Sequence, residues 1–422
     1  MLKAAQAFKE TFSPLGNRNV ALYLGGQSVS LLGTSMQNTA MAWVAWQLSH
    51  STVDLGMVAA LTSLPLLFLG VWGGVWADRL DRRLTLIATQ ATAMIIAFVL
   101  AVLVQTNRIS LWQIFGLAFA LGCVAALDMP TQQAFIGDLS GVAHVRRTVV
   151  LVSMIQQIGR MGGPALAGWL MGAIGLAPAF WANGASFLAV IGSLLVVHSL
   201  QVRKNTRDHH SGELREGIRY IAGQPRIQDL LILTAFIPFF VFPTSQLMPA
   251  VVSGRLHLGP QALGLLLSAT GAGSLVSLLV VVPLTQRLRR VGWVLAAAAT
   301  WSGLWLVVVS FSGSFMLWSA AMFCTALGVP VVMTNANGLL QVLAPPDMRA
   351  RLLSAWVVIG FGLFPVANLL VGYTAHILGT PAAILVNGSA IVFCTGVLVA
   401  VRPGLRRWAV AASVTKGPAV TG

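Results

Sequence analysis

The sequence predicts an all-α membrane protein with twelve transmembrane helices in two six-helix repeats. Three observations predict it. First, 57% of the 422 residues are hydrophobic and only 9% are charged, whereas soluble proteins carry about 25% charged residues. Second, apolar stretches of roughly 20 residues, the length that crosses a bilayer, follow one another along the chain. Third, charged loop features recur at a nearly constant offset: Arg79 to Arg287, and Asp138 to Asp347. The mean hydropathy of +0.82 agrees. Together these exclude an ordinary cytosolic enzyme, a disordered chain and a collagen-like one.

Twelve spans are expected at 20–47, 53–77, 84–105, 111–137, 148–174, 178–200, 228–252, 261–284, 291–311, 314–341, 352–376 and 380–401. Gly and Pro are tolerated inside such helices and do not end a span. The domains follow: an N-terminal six-helix bundle at 1–200, a polar linker at 201–227, a C-terminal bundle at 228–402 and a tail at 403–422. Within the linker, Leu214, Ile218 and Ile221 share one face of Glu213–Ile221, which reads as an amphipathic surface helix. Lys3 and Lys9 are not followed by a short apolar core and a cleavage site, so no signal peptide is expected.

The net charge of +15 is explained by topology, not by nucleic-acid binding. Arg79, Arg82, Arg83, Arg146, Arg147, Arg203, Lys204, Arg287, Arg289, Arg290, Arg349 and Arg351 all fall in alternate loops, and the opposite loops hold only Arg108 and Arg255. Basic residues accumulate in cytoplasmic loops, so both termini and the linker are expected in the cytoplasm. Cys123, Cys324 and Cys394 lie in apolar runs without a CxxC pair and read as small buried hydrophobes. No metal site is expected.

Gly74-Val75-Trp76-Ala77-Asp78-Arg79-Leu80-Asp81-Arg82-Arg83 resembles the loop signature of the major facilitator superfamily, with Asp81 where that pattern usually has Gly. Gly159–Gly168 resembles the Gly-Pro motif in the fifth helix of its antiporters. The set Gly26–Gly33, Leu127–Phe135, Gly163–Gly168 and Leu214–Tyr220 is similar to the bacterial secretion-effector branch, which includes enterobactin-exporter-like proteins. At Gln132 that branch often has Arg. The resemblance implies a gating latch of Gly74, Asp78, Arg79, Arg82 and Asp138 that cross-links the cytoplasmic face while the protein is open outward. It also implies a hinge at Gly159, Gly163, Pro164 and Gly168 that seals against leak.

A charge inside a span is costly and is a functional candidate by default. Asp128 lies nine residues before the end of the fourth span, and Arg160 lies twelve after the start of the fifth. At 1.5 Å per residue these depths are about 14 and 18 Å, so the two are expected to form a buried charge pair. Such a pair is either structural or proton-coupling. Polar stripes mark sides that face protein or water: Gln27, Ser30, Thr34 and Gln37; Ser153, Gln156 and Arg160; Thr334, Asn337 and Gln341. Helix packing accounts for any single one of these residues as well as a cavity does. Phe236, Phe239 and Phe240, interrupted by Pro238, suit a flat hydrophobic ligand.

The functional expectation is a secondary exporter of amphipathic small molecules, drug-like compounds or a secreted metabolite such as a siderophore. It would sit as a monomer in the bacterial inner membrane, work by alternating access and be driven by the proton gradient without a bound cofactor. Its partners would be the substrate and the bilayer, with no nucleic acid. Two alternatives stand beside it. One is import of a small organic solute. The other is a membrane-embedded enzyme or lipid-handling protein, which the scattered histidines do not favour.

Overall fold

The computed structural model describes residues 12–197, 219–286, 288, 290–345 and 348–406. Among them the regular structure is helical. Helix α1 spans Arg18–Ser49, α2 Thr52–Arg79 and α3 Arg82–Gln105. A run at Leu111–Ala173 follows and is broken at Gly141, where φ is 63° and ψ is 168°. Only glycine adopts that conformation cheaply, because a Cβ would clash with its own backbone. Gly141 thus divides the run into α4 (Leu111–Gly141) and α5 (142–173). Next come α6 (Ala177–Val196), α7 (Pro225–Leu247), α8 (Pro260–Thr285), α9 (Val291–Ser310), α10 (Phe315–Leu343), α11 (Ala355–Leu378) and α12 (Thr380–Val401).

Local chemistry sets the boundaries. The Asn17 side chain accepts from the Asn19 amide and starts α1. Asp81 does the same for α3, accepting from Leu84 N at 2.9 Å. That role gives a physical reason for Asp where the superfamily signature has Gly. Pro238 and Pro243 remove backbone donors in α7, which passes from α-helix into π-helix at Ile237–Val241 and 3₁₀-helix at Phe242–Leu247.

Among the described residues ten helices are long and apolar enough to cross a membrane, against twelve expected spans. The two missing from that set are the first and fifth. Both are helical here, as α1 and α5. They carry the stripes of Gln, Ser, Thr and Arg, and polar side chains lower a helix's apolarity without preventing it from being buried among other helices. Of the expected linker helix, only 219–221 lies within the described residues and it is helical. Arg287, Arg289 and Asp347, on which part of the loop repeat rests, lie outside them.

Helices α1–α6 pack mainly on one another, as do α7–α12. The two groups meet along α5 with α8 and α2 with α11. Both seams are built on glycine. A methyl group at Gly168 would stand 2.7 Å from the Pro260 carbonyl oxygen and 2.9 Å from Gly264 Cα. One at Gly372 would stand 2.6 Å from the Thr52 carbonyl oxygen. Small residues let helices approach closely where lipid offers no hydrophobic drive to association. Thr52 Oγ1 also donates to the Gly372 carbonyl at 2.9 Å. These contacts lie near the helix ends opposite the basic loops. They extend to mid-helix, where Gly271 meets the backbone of Arg160 and Met161.

Candidate functional site

Asp128 is buried on α4 and its carboxylate is fully engaged. Oδ1 accepts from Thr89 Oγ1 at 2.6 Å and Gln90 Nε2 at 3.0 Å, both on α3. Oδ2 accepts from Gln132 Nε2 at 2.6 Å, one turn along α4. Gln132 Oε1 in turn accepts from Gln27 Nε2 of α1 at 3.3 Å. The carboxylate therefore joins three helices through neutral donors. A buried acid held this way needs no permanent cation, because each hydrogen bond to it replaces part of its lost hydration.

The expected Asp128–Arg160 pair is not formed. Among the described residues Arg160 has no carboxylate within 4 Å, and its side chain is exposed. The physical reason is direction around the helix. Asp128 faces α3, whereas the Arg160 backbone lies against Gly271 of α8. Depth alone placed the two charges at similar levels but could not give their azimuths. Thr89 and Gln90 were missed as partners, although Thr85, Thr89 and Thr92 recur at helical spacing in the third span.

The stripes divide. On α1, Gln37 is 1% exposed and accepts from Asn183 Nδ2 of α6 at 2.9 Å, and Ser30 is 2% exposed. Both are helix-packing residues, which corrects their assignment to a substrate cavity. Gln27 belongs to the Asp128 network, and Thr34 is half-buried. On α5, Gln156 and Arg160 are exposed. On α10, Thr334 and Gln341 are exposed and Asn337 is half-buried. Gln341 Nε2 donates to Asn337 Oδ1 at 2.6 Å. This repeats the Gln132–Asp128 contact with both partners displaced by 209 residues, from 132 to 341 and from 128 to 337. The copy carries a neutral amide in place of the acid. On α7, Phe236, Phe239 and Phe240 are half-buried and stack, with Phe239 and Phe240 edge to face at 5.0 Å.

At the basic end, Arg82 Nη1 donates to both oxygens of Asp138, at 2.7 and 2.8 Å. The pair joins the start of α3 to the end of α4, within one group of helices. It forms here while the opposite ends of the two groups are in contact. The pairing expected from the sequence is thus present. Arg83 donates to the carbonyls of Leu194 and Leu195 at the end of α6, at 2.6 and 2.5 Å. Gly74, Asp78 and Arg79 lie on α2, and their side chains are outside the described residues. In the expected hinge, Gly159 lies against Leu31 and Gly163 against Ser35 and Leu32 of α1, whereas Gly168 lies against α8. The motif thus wedges α5 between α1 and α8, with the Pro164 carbonyl directed at Gly264.

A helical bundle of membrane-spanning length, joined by two glycine seams around polar mid-helix side chains, defines a polytopic membrane protein. The sequence profile of the transmembrane secretion effector family matches residues 9–419. The chain belongs to that family, a branch of the major facilitator superfamily. It is 27% identical to the uncharacterized MFS-type transporter YfiS of Bacillus subtilis, covering 79% of this chain and 81% of that one. It is 25% identical to the multidrug efflux pump Tap of Mycobacterium tuberculosis, covering 92% and 95%. It is 23% identical to the enterobactin exporter EntS of Salmonella typhi, covering 97% and 95%. Its fold matches the crystal structure of the nucleoside transporter NupG with a TM-score of 0.70 at 11% identity, over 90% of this chain and 98% of that one.

Proposed function

We propose that this protein is a proton-coupled exporter of amphipathic small molecules, with twelve spans in two six-helix repeats and both termini in the cytoplasm. The observation that carries the reading is Asp128: a mid-span carboxylate, buried, held by three neutral donors and without a cationic partner among the described residues. Such a group can gain or lose a proton without breaking a salt bridge, and an ionisable side chain inside a span is a candidate step on a proton path. The recurring Gln341–Asn337 contact supports the two-repeat reading, because its offset equals that from Asp138 to Asp347. It also supports placing proton coupling in the first repeat, since Asn337 cannot titrate.

The glycine seams close the face opposite the basic loops. With the basic loops in the cytoplasm, this arrangement supports an inward-open state. Exposed Gln156, Arg160, Thr334 and Gln341 would then line a wet cleft, with Phe236, Phe239 and Phe240 as its apolar wall. Export of drugs or siderophores is favoured over import by the named activities of Tap and EntS. The Gly-Pro motif of α5 points the same way.

Uptake into inverted vesicles with an imposed proton gradient tests the reading. Asp128→Asn should abolish gradient-driven accumulation, by at least about tenfold, while the protein still reaches the membrane. Accumulation unchanged in that variant sinks the coupling role. Metabolite profiling of a deletion strain, comparing cells with medium, identifies the cargo and its direction.

A further inference from the structure

Helices α8, α9 and α10 line an open groove of about 660 Å³ at the basic end of the molecule. Its walls are almost wholly apolar, and Arg290 stands among the lining residues. Arg290 lies at the start of α9, where the helix meets the loop. Its side chain is exposed and makes no hydrogen bond or ion pair among the described residues. Arg287 and Arg289 precede it in the sequence. Trp293, 45% exposed, sits three residues further along, with its indole N–H unpartnered among the described residues. The inner end is formed by Trp301, whose ring is fixed by donation from Nε1 to the Cys324 carbonyl at 2.8 Å.

The groove has the dimensions of one leaflet. Eleven residues of helix separate Arg290 from Trp301, about 16 Å, which is roughly half of the 30 Å hydrocarbon core. An amphiphile with an anionic head and an apolar tail fits it end to end. The head would meet Arg290, the interfacial region would meet the Trp293 N–H, and the tail would lie on Ala297 and Val331 toward Trp301. A second groove at the same end, between α1 and α6, makes the contrast. It measures about 470 Å³, and no charged residue lines it. We propose that the α8–α9–α10 groove binds one anionic glycerophospholipid of the leaflet on the basic side. This site is separate from the transport cleft and does not depend on the coupling role of Asp128.

The test is native mass spectrometry of the full chain in detergent, titrated in parallel with phosphatidylglycerol and phosphatidylcholine. The wild type should retain phosphatidylglycerol about fivefold better, the preference that one arginine near a membrane surface supplies. Arg290→Gln should erase that preference, and Arg290→Lys should keep it. Ala297→Trp, at an exposed wall position, should reduce retention of both lipids by filling the groove. Gly192→Leu, in the second groove, should change neither. Equal retention of the two lipids by the wild type overturns the proposal. So does an undiminished preference in Arg290→Gln, which uses an exposed position and leaves the core intact.

Discussion

Residues decide the chemistry here, and two of the acids in the first six helices, Asp138 and Asp128, show how. Asp138 pairs with Arg82 through both of its oxygens, whereas Asp128 is held by Thr, Gln and Gln. Removing one partner of a partly buried ion pair leaves an uncompensated charge, whereas exchanging the two keeps the sum. Arg82→Ala and Asp138→Ala should each lower the melting temperature of the purified protein, and Arg82→Asp with Asp138→Arg should recover part of the loss. Around Asp128 the prediction differs. Thr89→Val with Gln90→Leu strips Oδ1 of its two donors, at about 1–3 kcal/mol per unsatisfied group. This double variant should melt several degrees below the wild type, and Asp128→Asn should soften that loss because it removes the charge that needs donors. The presence of Asp128 inside a span was legible from the sequence. Its partners were not, because a helical wheel gives a side chain's direction only relative to its own helix.

Elements are shaped by glycine and proline. Gly141 turns the chain between α4 and α5 with no loop residues, and its φ of 63° forbids a routine substitution. Gly141→Ala should cost about 1–3 kcal/mol, read as reduced thermal stability and yield. The α5–α8 seam makes a functional prediction. Gly168→Leu should lower transport by at least about tenfold at unchanged membrane level, because a side chain there would collide with the Pro260 carbonyl and Gly264 and hold α5 away from α8. A methyl at Gly192 would meet nothing within 4 Å, so Gly192→Leu serves as the transport control. The close contact of α5 with α8 is what a side chain at Gly168 would obstruct, since even a Cβ there would meet the Pro260 carbonyl and Gly264. The Gly-Pro motif could be read from the sequence as a place of close approach. That it contacts α1 through Gly159 and Gly163 but α8 through Gly168 could not, since one helix face pattern serves any neighbour.

At the scale of the whole molecule, the charge asymmetry of the loops predicts topology. Cysteine introduced at Ser110 or Ser314, in loops poor in basic residues, should react with a membrane-impermeant thiol reagent added outside intact cells. Cysteine at Leu288, beside the Arg cluster, should react only after the membrane is opened. Labelling of Leu288 from outside would overturn the orientation. The sequence by itself determined the membrane class, most span positions, the basic face and the superfamily, because these follow from composition, spacing and local motifs. Among the described residues ten of the twelve expected spans are also apolar enough to be recognised by composition alone, and α1 and α5 are not, because polar side chains such as Gln27, Gln37, Gln156 and Arg160 lower their apolarity. Only the tertiary structure decided that Asp128 and Arg160 are apart, that Gln37 packs against Asn183, and that the two glycine seams meet on one face. Those outcomes depend on the rotation of each helix against its neighbours, which is set by the sum of many packing contacts and is written in no single stretch of chain.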